Sequence, residues 1–438
     1  MSEGSRQRLT HNGDYLRLLS GQSISSLGSA MSTFVFTLLA MAITGSPVQA
    51  GLVGTAVALG GTLAGLPAGA LVDRVSRRKV LLACGSAGTV LFGSVATAGW
   101  LDRLTIAHLV VVGFGSGVVH SFFSPAQNAA LRQIVDPRDL GTAMAANHGR
   151  EYFAGLVGAP LGGALYAVGR VIPIALDAVS YLVMTVLLAT IRKPLEAPAP
   201  EGGKHEPMLA SIRTGIKWLF RQPAIRVIAL VATLLNFSAN ATLLVLILSL
   251  QQRGVPTSVI GLLETGIGVG GLLGAIAAPR IIGRFSTGWI AVVAGWVITL
   301  AFGATALSTH PAVLIGLLSI AIFLLPAVNS GLFGYQVMIT PDHMQGRAES
   351  AFVFLANSTG PLAPLFGGFL LATLGTRSAV LILAGLLAVA AVLLTASGPI
   401  RDIPLLSDLA RQLESATAPS SGAVREPGRA GPGEDDRA

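Results

Sequence analysis

Read for its hydrophobic and polar positions, the chain is a succession of long apolar stretches separated by short polar ones. A bilayer core about 30 Å thick takes about 20 apolar residues in helical form. Windows of that length fall at residues 18–43, 48–72, 80–100, 105–131, 141–168 and 171–191. Six more follow at 226–250, 258–282, 288–308, 311–338, 348–374 and 376–398. The pattern predicts an all-α membrane protein with twelve transmembrane helices. The first window follows Arg6, Arg8 and Arg17 and contains Ala40-Met41-Ala42, as a cleaved leader would. Its apolar run is too long for a leader and eleven more follow it, so it is read as a retained helix.

The polar positions divide the chain into an N-terminal arm (1–17), a six-helix bundle (18–191), a linker (192–225), a second six-helix bundle (226–398) and a tail (399–438). The linker opens with Arg192-Lys193-Pro194 and a Pro/Glu/Gly stretch to Pro207 that reads as flexible. Beyond it, Met208, Ile212, Ile216, Leu219 and Phe220 share one helical face, while Arg213, Lys217 and Arg221 recur on another. That segment is either a helix lying on the membrane surface or a basic extension of the seventh span. The last 40 residues, rich in Pro, Gly and Ser, are expected to be disordered.

With 52% hydrophobic and only 11% charged residues, the chain could not hide its apolar surface in a soluble core. Its 53 glycines suit helices that pack closely through small residues. The net charge of +8 would suggest nucleic acid in a soluble protein, but here the basic residues sit in alternate loops. With both termini in the cytoplasm, 23 Lys and Arg fall on that side and only Arg103, Arg170, Arg253 and Arg377 opposite. The positive-inside rule therefore predicts cytoplasmic termini and removes the need for a nucleic-acid partner, and the excess of Arg over Lys, 25 to 4, hints at a bacterial source and so at a bacterial inner membrane. A monomer is expected. The one cysteine, Cys84, rules out an intramolecular disulfide.

Sliding the chain by 210 residues lays Gly51-Leu52 on Gly261-Leu262, Thr55 on Thr265, Gly60-Gly61 on Gly270-Gly271, Leu63 on Leu273 and Arg74 on Arg284. Ala159-Pro160-Leu161-Gly162-Gly163 likewise echoes Ala363-Pro364-Leu365-Phe366-Gly367-Gly368 with one residue inserted. The second and eighth helices, and the fifth and eleventh, look like copies. Two pseudo-symmetric six-helix bundles would face each other across a central cavity that opens to each side in turn.

The turn after the second helix reads Gly69-Ala70-Leu71-Val72-Asp73-Arg74-Val75-Ser76-Arg77-Arg78-Lys79. It resembles the loop 2-3 signature of the major facilitator superfamily, G-x-x-x-D-R-x-G-R-R, with Ser76 in place of the second glycine. The resemblance implies that Gly69, Asp73, Arg74, Arg77 and Arg78 form a conformational latch favouring the outward-facing state. Residues 21–28, 123–130 and 341–347 further resemble the bacterial enterobactin and macrolide exporters of that superfamily. The chain departs from the drug/proton antiporters of the family. Leu109, Val111 and Gly113 stand where a fourth-helix arginine is common, proline is displaced by one in Gly158-Ala159-Pro160-Leu161-Gly162-Gly163, and Ser29 replaces a first-helix Asp.

Charges in hydrocarbon cost about 2.5–3.5 kcal/mol each on insertion scales, so each is a functional candidate. Arg150 and Glu151 fall about ten residues inside the fifth helix, roughly 15 Å deep at 1.5 Å per residue. Glu151 is either a proton carrier tuned by Arg150 or part of a structural ion pair. Asp177 and Glu264 sit in the outer third of their helices, and His120 lies near the middle of the fourth. Gln22, Asn236, Asn240, Asn329 and Asn357 could line a cavity or bond helix to helix. Gly158, Pro160, Gly162, Gly163, Pro364, Gly367 and Gly368 are expected to pack and bend helices, with Pro326 loosening the tenth.

No catalytic triad, phosphate-binding glycine loop or metal-ligand cluster is apparent, so neither an enzyme nor a cofactor is expected. The reading is a proton-coupled exporter of an amphiphilic small molecule working by alternating access, with substrate, protons and membrane lipids as partners. An uptake symporter or lipid transporter of the same fold is the alternative, and a non-transporting receptor or scaffold the alternative of another class.

Overall fold

The computed structural model describes residues 9–196, 208–341 and 344–405, with Asp408 and Arg411 beyond them. The flexible stretch expected up to Pro207 lies outside the described residues from 197 on. So do Asp342, His343 and the tail from 412, along with the side chains of Gly69 and Asp73. Six long helices come first: α1 (Gly13–Thr44), α2 (Pro47–Arg74), α3 (Arg77–Trp100), α4 (Ile106–Ile134), α5 (Leu140–Val168) and α6 (Ile172–Ala189). After the shorter α7 (Met208–Arg221) come α8 (Pro223–Gln252), α9 (Thr257–Ile282), α10 (Thr287–Ala304), α11 (Pro311–Phe323), α12 (Leu325–Ile339), α13 (Gln345–Asn357) and α14 (Ala363–Ala396).

Among the described residues, ten stretches are helical, long and apolar enough to cross a bilayer. One of them, Gln345–Ala396, is two spans, because Gly375 adopts φ 74° and turns the chain back within α14. α5 is as long as its neighbours, although Asn147, His148, Arg150 and Glu151 make its first half polar. Twelve spans result. The tenth is α11 with α12, interrupted at Leu324 beside Pro326. The eleventh is α13 continued into α14 across a short 3-10 turn at Gly360–Leu362. Pro160, in contrast, leaves α5 unbroken.

α1 starts at Gly13, not at residue 18, so the arm is shorter than the pattern suggested. The Asn12 side chain accepts the Tyr15 amide at 3.1 Å and supplies the cap that an apolar window cannot register. At the other boundary, Gln222 leaves helical geometry (φ −94°, ψ 108°) ahead of Pro223. α7 is therefore a separate helix rather than an extension of α8. It docks on α13, where Gly215 meets the Arg347 backbone and buried Leu219 joins Ile225, Ala229 and Ala351.

Within the first half α1 packs on α5 and α6, α2 on α4, and α3 on α4 and α6. In the second, α8 packs on α14, α9 on α11, and α10 on α11 and α14. Large apolar side chains such as Val90, Val111, Ile276, Leu300 and Val389 point outward, as a lipid-facing surface requires. In such a solvent apolar contact alone does not drive helices together, so close backbone approach must.

The duplicated glycines are where that approach occurs. A methyl at Gly60 would overlap the Phe114 carbonyl on α4, and one at its counterpart Gly270 would overlap the Ser319 carbonyl on α11. Gly162 comes against Met31 on α1, its added carbon 3.1 Å from the Met31 Cα, and Gly367 takes the same place against Ala241 on α8, 2.8 Å from its carbonyl oxygen. The 210-residue shift relates Met31 to Ala241 as well.

The two halves meet through the same device. Gly51 on α2 crosses the Pro364 backbone, and Gly261 on α9 crosses that of Ala159 and Pro160. Gly368 abuts the Pro47 carbonyl, and Gly163 that of Thr257, 210 residues on. Thr257 donates to the Gly163 carbonyl at 2.6 Å and Thr265 to Leu156 at 2.9 Å, while Thr55 accepts the Leu365 amide at 3.2 Å. These junctions lie in the halves of the helices remote from the Arg-rich loops, hereafter the far end. At the opposite, basic end the helices part: α13 packs on α7 and α8 of its own half, whereas its continuation α14 packs on α2.

Bulk at Gly51 or Gly261 should therefore open the far end. Overpacking of about 1–3 kcal/mol against the closed arrangement corresponds to a shift of about fivefold to over a hundredfold in the conformer ratio. We expect Gly51→Val and Gly261→Val to lengthen spin-label distances between the far ends of α2 and α14, and of α5 and α9. An unchanged distance distribution in both variants would contradict the crossing role.

Candidate functional site

Between the halves lies a cavity of about 480 Å³. α1 supplies Gln22, Ser25, Ser26, Ser29 and Thr33, α4 supplies His120, Ser124 and Gln127, and α5 supplies Arg150 and Glu151. Tyr181 comes from α6, and Glu264 is the single contribution of the second half among the described residues. The wall is thus polar on one side. Phe123, Ala154 and Gly155 break the polar surface with apolar patches.

Arg150 organises the polar wall. Its guanidinium donates to Ser26 Oγ at 2.6 Å, to Asn147 Oδ1 at 2.9 Å and to Glu151 Oε1 at 3.2 Å. Gln127 from α4 donates to the same Asn147 oxygen at 2.7 Å, so α1, α4 and α5 are tied at one point. Arg150 is buried, its side chain 8% exposed, whereas that of Glu151 is 53% exposed. The pair is therefore an anchored cation with a carboxylate at the water's edge, and His148 lies 3.8 Å from the other Glu151 oxygen.

Glu264 has no hydrogen-bond or ion-pair partner among the described residues, although it faces the cavity from α9. His120 is exposed on the opposite wall. Asp177 is not on the cavity: it is fully buried between α6 and α1. Sequence depth alone could not separate these cases, because Glu264 and Asp177 stand at similar positions along their helices and differ only in the face they occupy.

The uncharged candidates divide. Gln22 lines the cavity, and Asn329 lines a separate, smaller pocket within the second half together with Gln336 and Phe352. Asn236 donates to the Ala356 carbonyl at 3.0 Å, tying α8 to α13, and Asn240 and Asn357 donate to carbonyls one turn back in their own helices. The packing candidates act as described above, with Gly158 set against Ala30 of α1. Gln127, Asn147 and Tyr181 do not stand out in the sequence, and Ser29 does so only as a departure from the first-helix Asp of related antiporters. Their recurrence with Gln22 and Ser26 on facing helical stripes is the signal that would have found them.

The loop 2-3 residues engage their own half. Arg77 is buried and donates to the Glu196 carbonyl, Arg78 to Ala189, and Ser76 to Leu195 at 3.1 Å. Gln133 also reaches Glu196, at 2.8 Å, and the Asp14 carboxylate accepts the amides of Arg192 and Lys193. The start of the linker is thereby stapled to the first half. Arg74 is exposed, and in this conformer, with the basic ends apart, no described contact joins the latch residues to the second half.

Three comparisons bear on this arrangement. The sequence profile of the Major Facilitator Superfamily matches residues 18–361. The multidrug efflux pump Tap of Mycolicibacterium fortuitum is 25% identical over 375 residues, covering 82% of this chain and 89% of that protein. Among solved structures, an inward-facing bacterial homologue of the lysosomal transporter Spinster superposes with a TM-score of 0.69 at 16% identity, covering 91% and 98% of the two chains. A nucleoside transporter gives 0.69 at 14% identity, covering 87% and 98%.

The network makes Asn147 the structural pivot of the site. Asn147→Ala would strand the buried Gln127 amide and take one acceptor from the Arg150 guanidinium, at about 1–3 kcal/mol, whereas Glu151→Gln removes a half-exposed pair worth up to about 1 kcal/mol. Thermal unfolding in detergent should therefore show the larger loss for Asn147→Ala. The reverse order would place the weight of the site on the ion pair.

Proposed function

Because this chain belongs to the major facilitator superfamily, a family of membrane transporters and not of enzymes, we propose that it is a secondary exporter, driven by protons, of an amphiphilic small molecule. One observation carries the reading: a cavity with one polar wall broken by apolar patches lies between halves that are joined at the far end by symmetric glycine crossings and part at the basic end. The positive-inside rule puts the basic end and both termini in the cytoplasm, which makes this conformer the cytoplasm-facing one. Similarity to a named efflux pump at 25% identity supports export and a bacterial inner membrane. The fold alone does not fix a direction or a cargo, since a nucleoside transporter shares it.

The cavity suits a ligand with a polar or charged group and an apolar body. The polar part would meet Ser26, Gln22 and the Arg150–Glu151 pair, and the body would lie along Phe123 and the small residues of α5. Glu264 is the proposed coupling group. It is the only cavity carboxylate from the second half and has no cation beside it, so a bound proton or a cationic ligand group changes its interactions most. Proton and substrate would then compete at a surface that both halves must share to close, and occupancy by either one biases the choice of conformer.

The substrate itself is to be found by comparing compounds retained by cells with and without the protein. Flux of the best candidate is then measured in everted vesicles. Export should stop when the proton gradient is collapsed, and Glu264→Gln should lose gradient-driven accumulation while keeping downhill exchange. Accumulation that continues after collapse, or a Glu264→Gln variant that still couples, would remove the proton-driven part of the reading.

A further inference from the structure

Asp177 is an acid that the cavity does not use. It is 0% exposed, on the face of α6 that packs on α1. The helices touch there through Gly28, where an added Cβ would come within 2.5 Å of both Asp177 Oδ1 and Ser180 Oγ. Ser180 donates to Asp177 Oδ1 at 3.1 Å, and Ser29 and Ser32 of α1 lie close enough to interact with the carboxyl. Asp177 Oδ2 and Ser32 Oγ nevertheless complete no hydrogen bond. The titratable groups on the surrounding elements are Tyr181 on α6, Cys84 on α3, Tyr166 and the Arg150–Glu151 pair on α5, and Arg170 in the turn between α5 and α6; α1 contributes only hydroxyls here. None of these forms an ion pair with Asp177.

A carboxyl group so placed must be neutralised by something, since an isolated charge in a low-dielectric interior is costly. An oxygen-only cluster of one carboxyl and three hydroxyls would also suit a small hard cation. Space decides between the two. Gly28 closes over Asp177 Oδ1, and Asp177 has no surface that a water-sized sphere can touch, so the cluster offers no room beside the carboxyl. A proton needs no volume. Ser29 lines the cavity, donates to the Tyr181 hydroxyl at 3.1 Å and lies close enough to the Asp177 carboxyl to interact with it, so one side chain borders both the cavity and the buried acid.

We propose that Asp177 is a proton-binding site inside the first half, loaded from the central cavity through Ser29. A hydronium ion in the cavity gives a proton to the Ser29 oxygen and is left as water, while the Ser29 hydroxyl, turned away from Tyr181, passes its own proton to the Asp177 carboxylate, which becomes the neutral acid. Unloading is the reverse. The charged form draws the hydroxyls of Ser29 and Ser32 onto itself and the neutral form releases them. Because Gln22, Ser25, Ser26 and Ser29 lie on the same helix, α1 carries the change to the cavity wall. The use of this site in transport rests on the proton-coupled reading above; its existence does not.

Infrared difference spectra of the purified protein in lipid nanodiscs, recorded across a pH titration without substrate, test the site directly. We expect a buried carboxylic C=O band that is lost in Asp177→Asn and kept in Glu151→Gln and Glu264→Gln. In Ser29→Ala the band should remain, with its hydrogen–deuterium exchange slowed severalfold. Should Asp177→Asn fail to fold, Ser180→Ala must shift the band of the otherwise native protein. A band unaffected by both substitutions overturns the proposal, and so does one that responds to Na⁺ at fixed pH. Because no substrate enters the experiment, this outcome is independent of whether the flux assays succeed.

Discussion

The structure depends on the approach of one helix backbone to another where neither carries a side chain. In hydrocarbon, helices gain nothing by hiding apolar surface from a solvent that is equally apolar. What remains is dispersion at short range and hydrogen bonds that water does not contest. Glycine permits both. Gly60 and Gly270 hold the second and eighth spans to their neighbours, and Gly162 and Gly367 seat the fifth and eleventh on the first and seventh. Gly51, Gly163, Gly261 and Gly368 then reuse the device between the halves. Helix cohesion and gate closure are one interaction, applied within a bundle or across the divide.

That economy explains why the architecture is legible in the amino-acid sequence. Lipid demands about twenty apolar residues per crossing, so the spans declare themselves, and a glycine crossing tolerates no substitute, so the duplication survives at those positions. The +210 shift was visible as matched letters, and its meaning as matched contacts was not. Gly51 and Gly60 look alike in one dimension, yet one meets the opposite half and the other its own.

The site was less legible for a related reason. Arg150 and Glu151 stand out because charge in a span is expensive. Their partner Asn147, which joins α4 to α5, is an ordinary polar residue until Gln127 and Arg150 are seen to converge on it. Depth could be counted for Asp177 and Glu264, but facing could not, and facing separates an acid in contact with the cavity from one sealed between helices. The latch residues carry a similar lesson. The loop motif names the residues, while their partners change with conformer, and here Arg77 and Arg78 hold the exit of α6.

The staple formed by Asp14, Ser76, Arg77 and Gln133 on residues 192–196 sets the slack in the tether between the halves. With that lead segment held, eleven residues of chain, 197–207, separate it from α7, which is itself fastened to α13. At roughly 3.3–3.6 Å per residue fully extended, eleven residues reach about 40 Å at most. Releasing the staple would lengthen the leash by nearly half. The angular travel open to the two halves is therefore set by four side chains at the rim, remote from any bound cargo, and loosening them would change the amplitude of each stroke without touching its chemistry.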